Sequence, residues 1–293
     1  MEKLLDNRIV RTIGILILAV AFVIVGSVIG QLVLLPVALI YDSENMLYIL
    51  QFLSMGGIWL LCVLFFAIRK DERRFFKLLF SKSKGNSLKY ILGLGVPFGI
   101  GINLLATFIA IKCGNIHIHF SSANMWLLLA YLVAIFVQSS AEEAVARWFI
   151  YQKLRAIFVE YPIVPIFINA TVFSLLHVFN EGITIVAIVN IALVGILYSF
   201  FIYYYDCFWG AVLAHTGWNF CQSIIMGLPN SGAVMPYSLY RLDDVITRNG
   251  FAYDTVFGIE GSWLAMVILA VSCVVIFILG RKHGGKNIEG QKA

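Results

Sequence analysis

The sequence predicts an all-α, polytopic transmembrane helix bundle, and three observations predict it. Hydrophobic residues make up 61% of the 293 positions and charged residues 13%, far from the soluble balance of roughly half apolar and a quarter charged. Runs of about 20 apolar residues, the length that crosses a hydrocarbon core as a helix, recur from near residue 12 to residue 280. No long polar block interrupts them, so one integral-membrane domain over 1–293 is expected and no soluble one.

The first run follows Lys3, Arg8 and Arg11 and reaches Ile40. That is too long for the h-region of a signal peptide, about 7–15 residues, and it is expected to stay as the first span. Charged or turn-rich breaks then divide the chain into about eight spans, at roughly 12–40, 46–68, 90–111, 124–151, 162–179, 183–204, 207–228 and 262–280. An even number puts both termini on one side. The basic residues say which side, because cytoplasmic loops carry the excess. With the N-terminus inside, Lys3, Arg8, Arg11, Arg69, Lys70, Arg73, Arg74, Lys77, Lys82, Lys84, Lys89, Lys153, Arg155, Arg281, Lys282, Lys286 and Lys292 are cytoplasmic, and Lys112, Arg241 and Arg248 fall outside. Arg147 belongs to neither set. A multi-pass protein of the cell membrane with cytoplasmic termini is expected.

Between spans, the longest connection, 229–261, contains "LPNSG", "RLDD" and "RNGFAYD" and reads as an outer loop without catalytic character. "GSVIG" (26–30) and "GVPFG" (95–99) carry the small-xxx-small spacing that lets helix backbones approach closely. Five cysteines, Cys62, Cys113, Cys207, Cys221 and Cys273, lie in or beside apolar stretches without Cys-x-x-Cys spacing, which suggests neither a disulfide framework nor a zinc knuckle. The formal charge of +5 is explained by topology, so the expected partners are the membrane and a peptide or protein substrate, not nucleic acid.

Inside the fourth span stands "SSAEEAVARWFI" (139–150). Glu or Arg at the centre of a span costs about 2.5–3.5 kcal/mol on insertion scales, so three of them need compensation. Successive helical residues point about 100° apart; Glu143 and Arg147, at i and i+4, share a face in the favourable acid-first order, whereas Glu142 does not. Glu142 is therefore a carboxylate without a local partner, as a water-activating base requires. The bland alternative is snorkelling to the headgroups near the end of the span. In "FSLLHVF", His177 follows Phe173 at i+4 within an apolar helix. In "LAHTGWNF", His215 and Asn219 share a helical face as two adjacent donors able to hold an oxyanion. Alone, each of these also fits a buried polar contact between helices. Together the three sites supply a base, a histidine to share its water and a donor pair, the minimum for hydrolysing an amide with water.

With these motifs in order, "EEAVAR" (142–147) for Glu-Glu-x-x-x-Arg, "FSLLH" (173–177) for Phe-x-x-x-His and "HTGWN" (215–219) for His-x-x-x-Asn, the chain resembles the CPBP family of intramembrane proteases. This is the CAAX protease and bacteriocin-processing group, also called Abi, and the similarity extends to its type II CAAX prenyl endopeptidases. Motif-bearing sequence covers a protease core at about 124–228. The resemblance implies that Glu142 with His177 activates water, that His215 and Asn219 stabilise the oxyanion, and that Glu143 and Arg147 are structural support. Where the family's first motif commonly continues Phe-Arg-Gly, this chain has Ala146 and Trp148 around Arg147. A change from a small residue to Trp148 is expected to reshape packing beside the cavity and so bear on substrate preference.

Straight spans rising about 1.5 Å per residue put Glu142 near the inner surface, His215 deeper and His177 beyond the midplane. Bringing them level needs tilt, or a fourth span that continues past Tyr151 through "QKLRAIFVE". The other intramembrane protease signatures, His-Glu-x-x-His, Gly-x-Ser-Gly and Gly-x-Gly-Asp, are absent from the sequence. Asp42 and Asp206 read as solvated helix ends. No cofactor is expected; a divalent metal such as zinc held by Glu142, His177 and His215 ranks second, because no further carboxylate is evident to orient the ligands. A transporter, or a catalytically silent immunity or scaffold protein, stays open as another class. The resulting expectation is an endopeptidase acting on peptides that enter from the membrane or its cytoplasmic surface.

Overall fold

The computed structural model describes residues 2–80, 84–243 and 245–284; of the basic set, Lys82, Lys286 and Lys292 lie outside them. Each expected run falls on helix. α1 (Glu2–Ala38) is followed by α2 (Glu44–Ser54) and α3 (Gly56–Ile68), which meet at Met55 and act as one rod. A short α4 (Lys77–Phe80) leads to α5 (Leu88–Gly95), a π turn at Val96–Gly101 and α6 (Ile102–Lys112). The fourth rod is α7 (Met125–Glu143), a π turn at Ala144–Tyr151 and α8 (Gln152–Ile157). Then come α9 (Val164–Leu175), α10 (Ile185–Tyr205), α11 (Phe208–Phe220) with a π turn at Cys221–Ile225, and α12 (Trp263–Gly284). Six of these rods are long and apolar enough to cross a membrane, and the molecule is a polytopic α-helical bundle.

The helix ends follow local chemistry. Ser43, Asn124 and Thr184 precede α2, α7 and α10, and each offers its side-chain oxygen to backbone N–H groups of the first turn, which have no partner within the helix. α10 ends on Asp206 in the left-handed conformation, φ 49°. Asp206 is partly exposed and lies 3.9 Å from Arg155, and Asp42 is exposed.

Two expected spans differ from the rest. The run 162–179 yields α9 of only 12 residues, ending at Leu175, so His177 sits in the turn beyond it. The run 207–228 yields α11 and its π turn, not among the six membrane-crossing rods. The reason is burial: α11 is covered by α5, the Val96–Gly101 turn and α7, and a helix that faces protein all round can carry His215, Asn219 and Gln222 without exposing them to lipid. The connections also hold a feature the all-α expectation lacked, an antiparallel pair of β1 (Ile118–Phe120) and β2 (Tyr240–Leu242).

Both glycine motifs pack. A Cβ added at Gly30 lands 1.7 Å from the Ser54 carbonyl oxygen, and one at Gly99 lands 2.3 Å from that of Ala214, so α1 lies directly on the α2–α3 rod and the Val96–Gly101 turn directly on α11.

Candidate active site

Continuation of the fourth rod to Ile157, 33 residues from Met125, moves Glu142 from a helix end to mid-rod. This levels the three motifs. Glu142 Oε2 lies 4.0 Å from His177 Nε2 and 3.7 Å from His215 Nε2. It is buried with no hydrogen-bond partner among the described residues. The other oxygen, Oε1, accepts Gln138 Nε2 at 2.5 Å from one turn earlier on α7.

The second nitrogens of both histidines are committed. His177 Nδ1 faces the Phe173 carbonyl oxygen at 2.8 Å, an acceptor, so this nitrogen carries the proton. Since α9 ends at Leu175, the ring takes up a carbonyl that the helix end leaves free. His215 Nδ1 faces Glu143 Oε1 at 2.9 Å and likewise donates. In the neutral imidazoles both Nε2 atoms are then lone-pair acceptors aimed at a carboxylate oxygen, also an acceptor. Such a group is satisfied by something that donates into it.

Glu143 is wholly buried, as is Arg147. Arg147 Nη1 donates to Glu143 Oε1 at 3.1 Å, and Nε lies 3.1 Å from Oε2. The guanidinium reaches the Gly195 carbonyl oxygen with Nη2 and lies over the rings of Phe173 and Tyr198. The i, i+4 pairing expected for these two is present, and it carries a third member, His215, that helical spacing alone could not reveal.

Asn219 Nδ2 lies 3.2 Å from Gln138 Oε1 and 3.5 Å from Ser139 Oγ, and its Oδ1 accepts Asn230 Nδ2 at 3.2 Å. Gln138 thus bridges Glu142 and Asn219. Nothing in the sequence flags it except its polarity in an apolar run. Glu260, in the connection read as having no catalytic character, also borders the site: it accepts Trp218 Nε1 at 2.8 Å and the Ser231 N–H and hydroxyl at 2.9 Å each. These bonds tie the 229–261 segment to the motif helix.

A cavity of about 720 Å³ holds Glu142, His177, His215 and Asn219 in its wall. Ala146 is also part of that wall and Trp148 is not. Trp148 is fully buried, its Nε1 bonded to the Phe75 carbonyl oxygen and its ring packed on Phe66, Trp59 and Phe76. Trp148 thus lies in the packing beside the cavity, where the sequence put it, filling the core beneath the wall, and the neighbouring motif position in the wall itself is Ala146. Among the described residues, no group of three or more His, Cys, Asp or Glu is arranged to hold a metal ion.

Residues 124–221 match the family model described as "Type II CAAX prenyl endopeptidase Rce1-like". Over this segment, about a third of its length, the chain is similar to the Rce1-like CAAX protease family. The matched segment contains all three motifs and ends before Glu260. Comparisons with curated proteins and with solved structures give no match.

Proposed function

We propose that the chain is a glutamate-dependent intramembrane endopeptidase, a single membrane domain that hydrolyses peptide bonds of membrane-associated proteins or peptides. The observation that carries this reading is the unpartnered Glu142 Oε2 facing two imidazole nitrogens. A water molecule, about 2.8 Å from each acceptor it serves, spans the 4.0 Å between Glu142 Oε2 and His177 Nε2 and gives one proton to each hydrogen bond. Its oxygen attacks the scissile carbonyl carbon while Glu142 takes the proton.

His215, in its doubly protonated form, keeps Nδ1–H on Glu143 and offers Nε2–H to the oxyanion, with Asn219 Nδ2–H as the second donor. When the tetrahedral intermediate collapses, the C–N bond breaks and Glu142 passes its proton to the leaving amine. Glu143 and Arg147 act through His215, as positioning groups. The proposed reaction requires no cofactor.

Two measurements test the reading. Glu142→Gln in the full-length chain, reconstituted in bilayers and presented with a mixed peptide library, is expected to lose cleavage by about 10²–10⁴-fold, the usual worth of a positioned general base, while its unfolding transition is kept. Retained cleavage removes the mechanism. A chelator is expected to leave the wild-type rate unchanged. Loss of activity that zinc restores would instead assign Glu142, His177 and His215 to a metal.

A further inference from the structure

The cavity has a direction. Its wall takes Val23, Ser27 and Gln31 from the second half of α1 and Tyr48, Gln51 and Phe52 from the first half of the α2–α3 rod, so it rises toward the end where those two rods connect. At the same end it is bordered by Glu181, just beyond α9, and by the 230–235 stretch. Gln31, Gln51, Leu176, Glu181, Ala233 and Val234 are the exposed members of this wall. In the other direction it stops on buried Ile58, Val145 and Tyr198. Beneath them lies a packed aromatic layer around Trp148, Phe66, Phe149 and Phe208.

The opposite end of the bundle is the basic one. Arg8 bonds Glu160, Lys153 pairs with Glu72, and Arg155 lies near Asp206. Arg11, Arg69 and Arg74 border one small surface hollow with Lys153. The connections at the cavity's end contribute Lys112, Arg241 and Arg248. Since short loops rich in Lys and Arg stay cytoplasmic, the aromatic layer closes the catalytic cavity on the cytoplasmic side and its mouth opens on the other.

We propose that the catalytic cavity is filled from the non-cytoplasmic face of the membrane, so that its substrates are peptide segments of secreted or membrane-anchored chains displayed on that face, not cytosolic tails. The assignment of substrates rests on the protease reading; the sidedness does not. Of the two routes expected from the sequence, the membrane or its cytoplasmic surface, it replaces the second, which had Glu142 near the inner surface.

Thiol accessibility in intact cells tests it with the full chain. In a Cys113→Ser background, since Cys113 is the exposed thiol among the described residues, single variants Val234→Cys at the mouth, Gln51→Cys inside the wall of α2 and Val159→Cys at the basic end are treated with a membrane-impermeant sulfonated maleimide. Labelling of the first two in intact cells, and of Val159→Cys after permeabilisation alone, is the expected result. Labelling of Val159→Cys in intact cells, or of Val234→Cys or Gln51→Cys only after permeabilisation, overturns it. Reaction of each variant in detergent extract confirms that its thiol is reachable. A reversed pattern leaves the Glu142 mechanism standing, and an inactive protein with the expected pattern leaves the sidedness standing, so the two proposals fail separately.

Discussion

Glu142 and Glu143 are adjacent in sequence and opposite in circumstance, because one residue along a helix is a turn of about 100°. Glu143 is enclosed by Arg147 and His215, with no exposed surface; Glu142 faces a cavity and keeps one oxygen unpartnered. Breaking a buried ion pair by neutralising one member leaves the other charge uncompensated, at a cost of about 3–5 kcal/mol. Glu143→Gln is expected to lower stability by roughly that amount, read from denaturant unfolding in detergent. A variant that unfolds like the wild type would mean that Arg147 is held by Gly195 and the two aromatic rings without its carboxylate. The Glu143–Arg147 pair was legible from i, i+4 spacing. Its link to His215 was not, since it joins residues 72 positions apart, and neither was Gln138, whose role exists only once Glu142 and Asn219 are neighbours in space.

Among the elements, hydropathy located every rod but not its internal geometry. Two π turns directly follow motif-bearing helices, Ala144–Tyr151 after Glu143 and Cys221–Ile225 after Phe220, and such turns leave no mark in composition. The early end of α9 was hidden for a related reason: "LLHVF" is as apolar as a helix interior, and the His177 ring completes the helix end in place of a further turn. The glycine motif of α1 was legible because its function is the absence of a side chain. Gly30→Val forces a branched side chain into the Ser54 backbone, and overpacking of this kind costs about 1–3 kcal/mol. Gly14, on the same helix, has nothing within 4 Å of an added Cβ, so Gly14→Ala is expected to be neutral or to stabilise by up to about 1 kcal/mol. Equal effects of the two substitutions on unfolding would show that α1 is not seated by close backbone contact.

At the scale of the whole molecule, the two ends of the bundle divide the work between water and packing. On the proposed reading, a hydrolase inside a membrane needs water at one carboxylate and nowhere else, so the cavity that would admit it must end in a barrier that does not leak. Trp148 occupies the centre of that barrier, in ring contact with Trp59, Phe66 and Phe76, and its indole N–H is satisfied by the Phe75 backbone. Truncating a buried Trp to Ala removes this packing and leaves a void, at a cost of about 3–5 kcal/mol. Ala146, two residues earlier, lies in the cavity wall instead, where a larger side chain takes space from substrate without opening the layer below. Trp148→Ala is therefore expected to lower stability strongly while cleaving the same bonds, and Ala146→Leu to shift cleavage toward smaller side chains with a smaller loss of stability. Unfolding in detergent and product analysis on one peptide library read both effects together. If Trp148→Ala changes which bonds are cut while Ala146→Leu does not, the barrier and the cavity wall have been assigned to the wrong residues.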